Sequence, residues 1–185
     1  MIEQFMQMVT EQGNQIAVED GNLSLSYSEL DSISNALASS LVNIGVHEGV
    51  HVGLCLPRSA ELIATMVAVI KLGACYVPIE PSMPVSRRQA LFEQCDIRTV
   101  LSCSEQIELW RLEEAENGVV DLFDFKAQFN HALSQVKSGE PFEFKTFIAS
   151  SDTLACLFFT SGSTGLPKGV SVLNSGIKSV VHQPN

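Results

Sequence analysis

Short apolar runs and helix-period stretches take turns along residues 50–137, and this alternation narrows the possible folds more than any single motif. Val50 to Leu56 reads as a strand ended by Pro57; Cys75 to Ile79, Ile97 to Leu101 and Val119 to Leu122 read as three more. Helical spacing fills the intervals, over Ala60 to Leu72, Ser86 to Gln94, Glu105 to Glu116 and Lys126 to Val136. Strands separated by helices at this rhythm predict a mostly parallel, doubly wound α/β sheet with flanking helices. Ala60 to Leu72 is apolar nearly all round, with Glu61 and Lys71 only near its ends, so burial on several sides is expected, as between two sheet layers.

Earlier residues add local signals. Phe5, Met8 and Val9 give the N-terminal segment one apolar helical face for docking, while Glu3 and the lack of a long apolar run exclude a signal peptide or a membrane span there. Ile16 to Val18 and Leu23 to Leu25 flank Asp20, Gly21 and Asn22, a hairpin pattern. Leu30, Ile33, Leu37, Leu41 and Ile44 then recur at helical spacing, with Ser26 or Ser28 as cap and Gly45 as stop, predicting a half-exposed helix. Lys137 to Ser151 reads as an irregular connection, longer than most.

The chemistry concentrates in Thr160 to Gly169, TSGSTGLPKG, directly behind the apolar run Leu154 to Phe159, which reads as a buried strand. Gly162 and Gly165 permit backbone angles at which consecutive N–H groups face one point, a concave nest for phosphate oxygens. Ser161, Ser163 and Thr164 add hydroxyl donors and Lys168 adds a positive charge. A flexible linker has no reason to place Pro167 and Lys168 after the glycines, nor to be fenced by LACLFF before and by Val170 and Val172 after. The nucleoside-triphosphatase loop G-x-x-x-x-G-K-[ST] does not fit: counted from Gly162, its second glycine falls on Pro167, and Gly169 follows Lys168. Beyond the loop, Val170 to Val172 reads as a short strand and Asn174 as the cap of a helix starting at Ser175.

Composition removes other classes. A net charge of −10 with only 11 Lys and Arg argues against nucleic-acid or anionic-membrane partners. Cys55, Cys75, Cys95, Cys103 and Cys156 contain no C-x-x-C pair and read as small buried hydrophobes in a reducing cytosol, which implies a cytoplasmic location. His47 and His51 are split by Gly49 in a turn entering a strand, so no metal site is expected. Tyr76, Pro78, Glu80 and Pro81 read as strand-end and turn residues, and Glu113, Glu114 and Glu116 as a solvated helix face.

TSGSTGLPKGV resembles the phosphate-binding signature of the adenylate-forming (AMP-binding) superfamily of acyl-CoA synthetases, luciferase-like ligases and adenylation domains of nonribosomal peptide synthetases. LSYSEL, Leu25 to Leu30, and IKLGACYVPIEP, Ile70 to Pro81, resemble two earlier motifs of the peptide-synthetase branch, with Glu80 where Asp is usual. The resemblance implies an α/β fold: the N-terminal part of the large domain, with mostly parallel sheets. Residues 1–185 would be one truncated adenylation domain, with the C-terminal small domain absent. It also implies ATP and Mg2+ as cofactors, a carboxylic or amino acid as substrate, and a carrier-protein thiol as acceptor. Thr160, Ser161, Gly162, Ser163, Thr164, Gly165 and Lys168 would grip the leaving pyrophosphate.

Departures from the pattern bear on activity. Relatives usually carry a histidine in the region where this chain reads Val172, Leu173, Asn174. The family's magnesium-binding glutamate, ribose-binding aspartate, acid pocket and C-terminal lysine belong to later motifs, so no complete catalytic set is expected here. Two readings follow: a segment of an acyl-adenylating ligase, inactive alone, or a catalytically silent remnant or nucleotide-binding module. An uncovered sheet edge, with poor solubility, is also expected.

Overall fold

In the computed structural model, residues 2–113, 120–139, 152–160 and 168–174 are described. Helix α1 (Ile2–Gln12) leads into the hairpin of β1 (Ile16–Asp20) and β2 (Leu23–Ser26), whose turn places Gly21 at φ +58°. Next comes α2 (Tyr27–Asn43). Ser26 caps it: its hydroxyl accepts from the Glu29 N–H, and the Glu29 carboxylate accepts from the Ser26 N–H. That reciprocal pair is a capping box, which contributes about 1 kcal/mol. At the far end Gly45 N–H donates to Val42 and Val46 N–H to Leu41, so the predicted glycine stop is a Schellman turn at φ +88°.

The body follows as β3 (His51–Cys55), α3 (Ala60–Lys71), β4 (Cys75–Pro78), α4 (Val85–Gln94), β5 (Thr99–Ser102), α5 (Ser104–Glu113), β6 (Asp121–Asp124), α6 (Phe125–Lys137), β7 (Leu154–Thr160) and β8 (Lys168–Leu173). These strands form a six-stranded sheet in the order β6-β5-β3-β4-β7-β8, parallel except for the β7–β8 pair. Side chains alternate across it, as the period of a strand requires. Val52, Leu54, Tyr76 and Leu101 join the core under α2, α3 and α6, whereas Cys55, Val77 and Val100 join the core under α4 and α5. Helices therefore cover both faces, as the alternation predicts, and the loops after β3 and β4 leave toward opposite faces.

Four differences from the sequence reading have local causes. Helix α3 is buried between the six-stranded sheet and a layer of α1, α2 and α6, and the second sheet that touches it is the two-stranded β1–β2 hairpin, where the Ala60 N–H donates to the Asp20 carboxylate at 2.9 Å. Strand β5 begins at Thr99 because Asp96 adopts φ +48° and closes α4 with a Schellman turn, Ile97 N–H donating to Phe92 C=O at 2.9 Å. The run Leu154 to Phe159 is buried only at Ala155 and Cys156; Phe158 is 44% exposed. Strand β8 is longer than the predicted Val170 to Val172 and forms the sheet edge among the described residues, with Val170 and Leu173 exposed. The helix expected from Ser175 and nearly all of the Lys137 to Ser151 connection lie outside the described residues.

Candidate phosphate loop and adjoining cavity

Parallel pairing of β7 with β4, with Tyr76 opposite Cys156, sets the carboxyl ends of these strands side by side. Strand β7 ends at Thr160, which pairs with Lys168 at the start of the antiparallel β8. The seven positions between them therefore begin and end at the carboxyl edge of the sheet, where open α/β sheets bind ligands. Of the predicted phosphate-binding residues, Thr160 and Lys168 are thus brought together as cross-strand neighbours. Ser161, Gly162, Ser163, Thr164 and Gly165 lie outside the described residues. Gly169 lies opposite Phe159, where an added Cβ would come to about van der Waals contact with the ring, at 3.4 Å.

Beside this edge lies a cavity of about 740 Å³, walled by Leu54 and Leu56 from β3 and its exit, by Tyr76 and the Pro78 to Pro84 segment, by Arg58 and Arg87, and by Phe158. The sequence reading of Tyr76, Pro78, Glu80 and Pro81 as strand-end residues fits their positions but misses that all four line this space. Burial raises the Tyr76 hydroxyl far above the ordinary phenol range. The turn after β4 is fixed by Ile79 N–H donating to Leu54 C=O at 2.8 Å and Met83 N–H to Glu80 C=O at 3.0 Å. Arg88, 1% exposed, donates from Nη1 to Met83 C=O at 3.0 Å, and its guanidinium lies 4.1 Å from the centroid of the Trp110 ring. Sequence pattern had no signal for that brace, since Arg88 reads as one of two adjacent surface cations.

Two charged groups inside the fold were also missed. Lys71, read as the polar end of α3, has a fully buried side chain. Its ammonium donates to Asp31 Oδ1 at 2.6 Å, Asp31 C=O at 3.0 Å, Ser34 Oγ at 2.8 Å and Asn35 Oδ1 at 2.5 Å, beneath the Phe5 ring. Burial pulls its pKa down, and the Asp31 carboxylate opposes that shift. Glu61, in the first turn of α3, is 6% exposed with no hydrogen-bond partner at Oε1. Burial pushes its carboxyl up to about 7, Lys126 working against the shift and Asp124 with it.

The metal and cysteine readings can be placed as well. His51 Nδ1–H donates to Cys95 C=O at 2.6 Å and His47 Nδ1–H to Glu48 C=O at 3.0 Å, so each ring is engaged locally. Among the described residues no three His, Cys, Asp or Glu side chains gather as a metal site. Cys55, Cys75, Cys95 and Cys156 are buried and all five thiols are free; burial pushes Cys55 and Cys156 up to about 11 and Cys75 up to about 12. No helix among the described residues is long and apolar enough to cross a membrane.

Comparison with known proteins agrees with this architecture. The family model for AMP-binding enzymes matches residues 5–183. A nonribosomal peptide synthetase, otaB of Aspergillus niger, is 36% identical over 160 residues, covering 86% of this chain and 8% of its own. Malpibaldin synthetase of Mortierella alpina is 33% identical over 184 residues, covering 96% of this chain and 3% of its own. The N-terminal subdomain of Klebsiella oxytoca NpsA, solved with 3-hydroxyanthranilyl-AMSN, superposes with a TM-score of 0.76 at 23% identity, over 95% of this chain and 41% of that one. The fold is the α/β architecture of the adenylate-forming superfamily, and the chain belongs to the AMP-binding enzyme family, with nonribosomal peptide synthetases among its relatives. It spans less than a tenth of the length of those two synthetases.

Proposed function

We propose that this chain supplies the nucleotide grip of an acid-activating domain of the peptide-synthetase type, within residues 1–185 as the N-terminal portion of one adenylation domain. The family reaction joins a carboxylic or amino acid to AMP with loss of pyrophosphate, then passes the acyl group to a thiol, in synthetases that of a carrier domain. This chain's part is positioning. Backbone N–H groups of Ser161 to Gly165 and hydroxyls of Thr160, Ser161, Ser163 and Thr164 hold the β and γ phosphates, while Lys168 steadies them or the loop.

The observation that carries the reading is the β7–β8 register: a donor-rich connection, bounded by the Thr160–Lys168 pair, at the carboxyl edge of a parallel sheet. This donor set fits a polyphosphate, being hydroxyls, amides and one ammonium with no acidic residue between Thr160 and Gly169. Among the described residues no three His, Cys, Asp or Glu side chains gather, so magnesium would be held largely by the phosphates it accompanies. A cytoplasmic location agrees with ATP as substrate and with the free thiols.

Titration of the chain with Mg·ATP, followed by amide resonances of residues 160–169, tests the grip. Saturable shifts there, lost in Gly162→Val and weakened in Lys168→Ala, are expected. Unmoved resonances at saturating nucleotide would refute it. Carboxylate-dependent exchange of labelled pyrophosphate into ATP should be absent for the purified chain, and turnover would overturn its assignment as a grip without a complete catalytic set.

A further inference from the structure

We infer that Glu61 and Lys126 form a proton-operated clasp between α3 and α6: while Glu61 is protonated the Lys126 ammonium stays in solvent, and when Glu61 releases its proton to water the ammonium closes onto the carboxylate. Topology sets the two residues side by side. Strands β3 and β6 lie two places apart in the sheet, joined in parallel through β5, so their carboxyl ends are about 10 Å apart, the spacing of packed helices. Each strand hands over to a helix on the same face, α3 after β3 and α6 after β6, and Glu61 and Lys126 are the second residues of those helices. Glu61 is 6% exposed and its Oε1 has no hydrogen-bond partner, whereas Lys126 is exposed and its side chain makes no ion pair or hydrogen bond among the described residues. A carboxylate shut away from water without a donor is disfavoured, so the neutral acid is favoured and ionisation demands a new partner.

Among the described residues Lys126 is the cation placed to supply that partner. The charges that reach Glu61 are Lys126, which attracts, and Asp124, which repels. Asp124 is already occupied: one carboxylate oxygen accepts from the Lys126 and Ala127 N–H groups as the cap of α6, and the other accepts from the Ser104 hydroxyl. From the hairpin, the Asp20 carboxylate accepts the Ala60 N–H at 2.9 Å; on α2, Glu29 and Asp31 are paired with Lys137 and Lys71. Helix α1, which carries Glu3 and Glu11, reaches the far end of α3, where Phe5 covers Lys71. Glu105 of α5, exposed, is the other carboxylate that feels Lys126 and so competes for it. Burial outweighs the attraction of Lys126 and leaves the Glu61 carboxyl at about 7, so the clasp works across neutral pH. Leu62 and Met66 of the same helix line the cavity at the sheet's carboxyl edge, and the proton on Glu61 thereby sets how one wall of that cavity is held.

The test follows three sets of resonances through a pH titration of the full 185-residue chain: the Glu61 side-chain carboxyl, the Lys126 ε-methylene, and the methyls of Leu62 and Met66. The carboxyl should titrate near pH 7, the ε-methylene should become more ordered in carbon relaxation as it does so, and the methyls should shift with the same midpoint. Lys126→Ala should raise the Glu61 midpoint, Lys126→Arg, which keeps the charge, should hold it, and Asp124→Asn, which keeps an acceptor for the α6 cap, should lower it. Glu61→Gln should leave the Leu62 and Met66 methyls and the Lys126 methylene without that titration, while Glu105→Gln should leave it in place. Thermal melts verify folding of the variants. A Glu61 midpoint at the ordinary 4.5, or one indifferent to Lys126→Ala, would overturn the inference. So would a Lys126 methylene that stays equally mobile above the midpoint, or methyls that do not shift or that shift unchanged in Glu61→Gln. None of these outcomes depends on the response of residues 160–169 to nucleotide, so the clasp and the nucleotide grip fail separately.

Discussion

Removing the Asp31 carboxylate is the sharpest single perturbation of this fold, because it strands a buried ammonium rather than merely deleting a contact. The Lys71 side chain is fully buried and Asp31, at 2.6 Å, is its only anionic partner among the described residues. Uncompensated buried charges cost about 3–5 kcal/mol. Three neutral acceptors remain in Asp31→Ala, the residue 31 carbonyl, Ser34 Oγ and Asn35 Oδ1, so the lower figure, about 3 kcal/mol, is expected. Lys71→Met keeps the stem length and removes the charge. It leaves Asp31, 17% exposed, able to reach water, so the loss should be about 1–2 kcal/mol. The double variant should then be more stable than Asp31→Ala alone. Urea unfolding followed by circular dichroism measures all three, with unchanged slope showing that the denatured state is comparable. A loss below about 0.5 kcal/mol for Asp31→Ala, or additivity in the double variant, would refute the account of a charge held by one carboxylate.

Two further outcomes follow from the geometry. Glu61 has its carboxyl pushed from 4.5 up to about 7 in the folded chain, so between those values the unfolded chain has released its proton while the folded chain keeps it. Stability should therefore fall as pH rises from about 4.5 to about 7 and level off above; Glu61→Gln should flatten that slope and gain stability at pH 8, by at most roughly 3 kcal/mol and less with solvent screening. A pH profile identical in Glu61→Gln would remove the carboxyl from the explanation. Gly53→Ala should cost about 1–3 kcal/mol, because the new Cβ would lie 2.6 Å from Ile79 Cδ1 and 2.8 Å from Val100 Cγ2, with part recovered by adding Ile79→Val; an unchanged melting temperature would contradict this packing.

What could be read beforehand and what could not divides by the range of the interaction. The Asp20-Gly21-Asn22 turn, the Ser26 cap, the Gly45 stop and the strand-helix rhythm are local, each encoded within a few residues, and each appears at its predicted place. The donor-rich run Thr160 to Gly169 is likewise a local pattern, its part as a phosphate loop being the proposal above. Bringing β7 to the sheet depended on the β4–β7 pairing of residues 80 apart, Tyr76 with Cys156, which no periodicity contains. Lys71 was misjudged because a cation in the last turn of an apolar helix has the right sign for the helix dipole and so needs no buried partner. Its partners lie in the preceding helix, 36 to 40 residues earlier. Arg58 and Arg87 drew no attention because each reads alone as a solvated surface residue, and only the opposite exits of β3 and β4 bring both to the lining of one cavity. The same crossover that makes the sheet doubly wound thus assembles the cavity. A local pattern reveals which segments become strands and helices, whereas the chemistry at the sheet's carboxyl edge arises from which strands become neighbours.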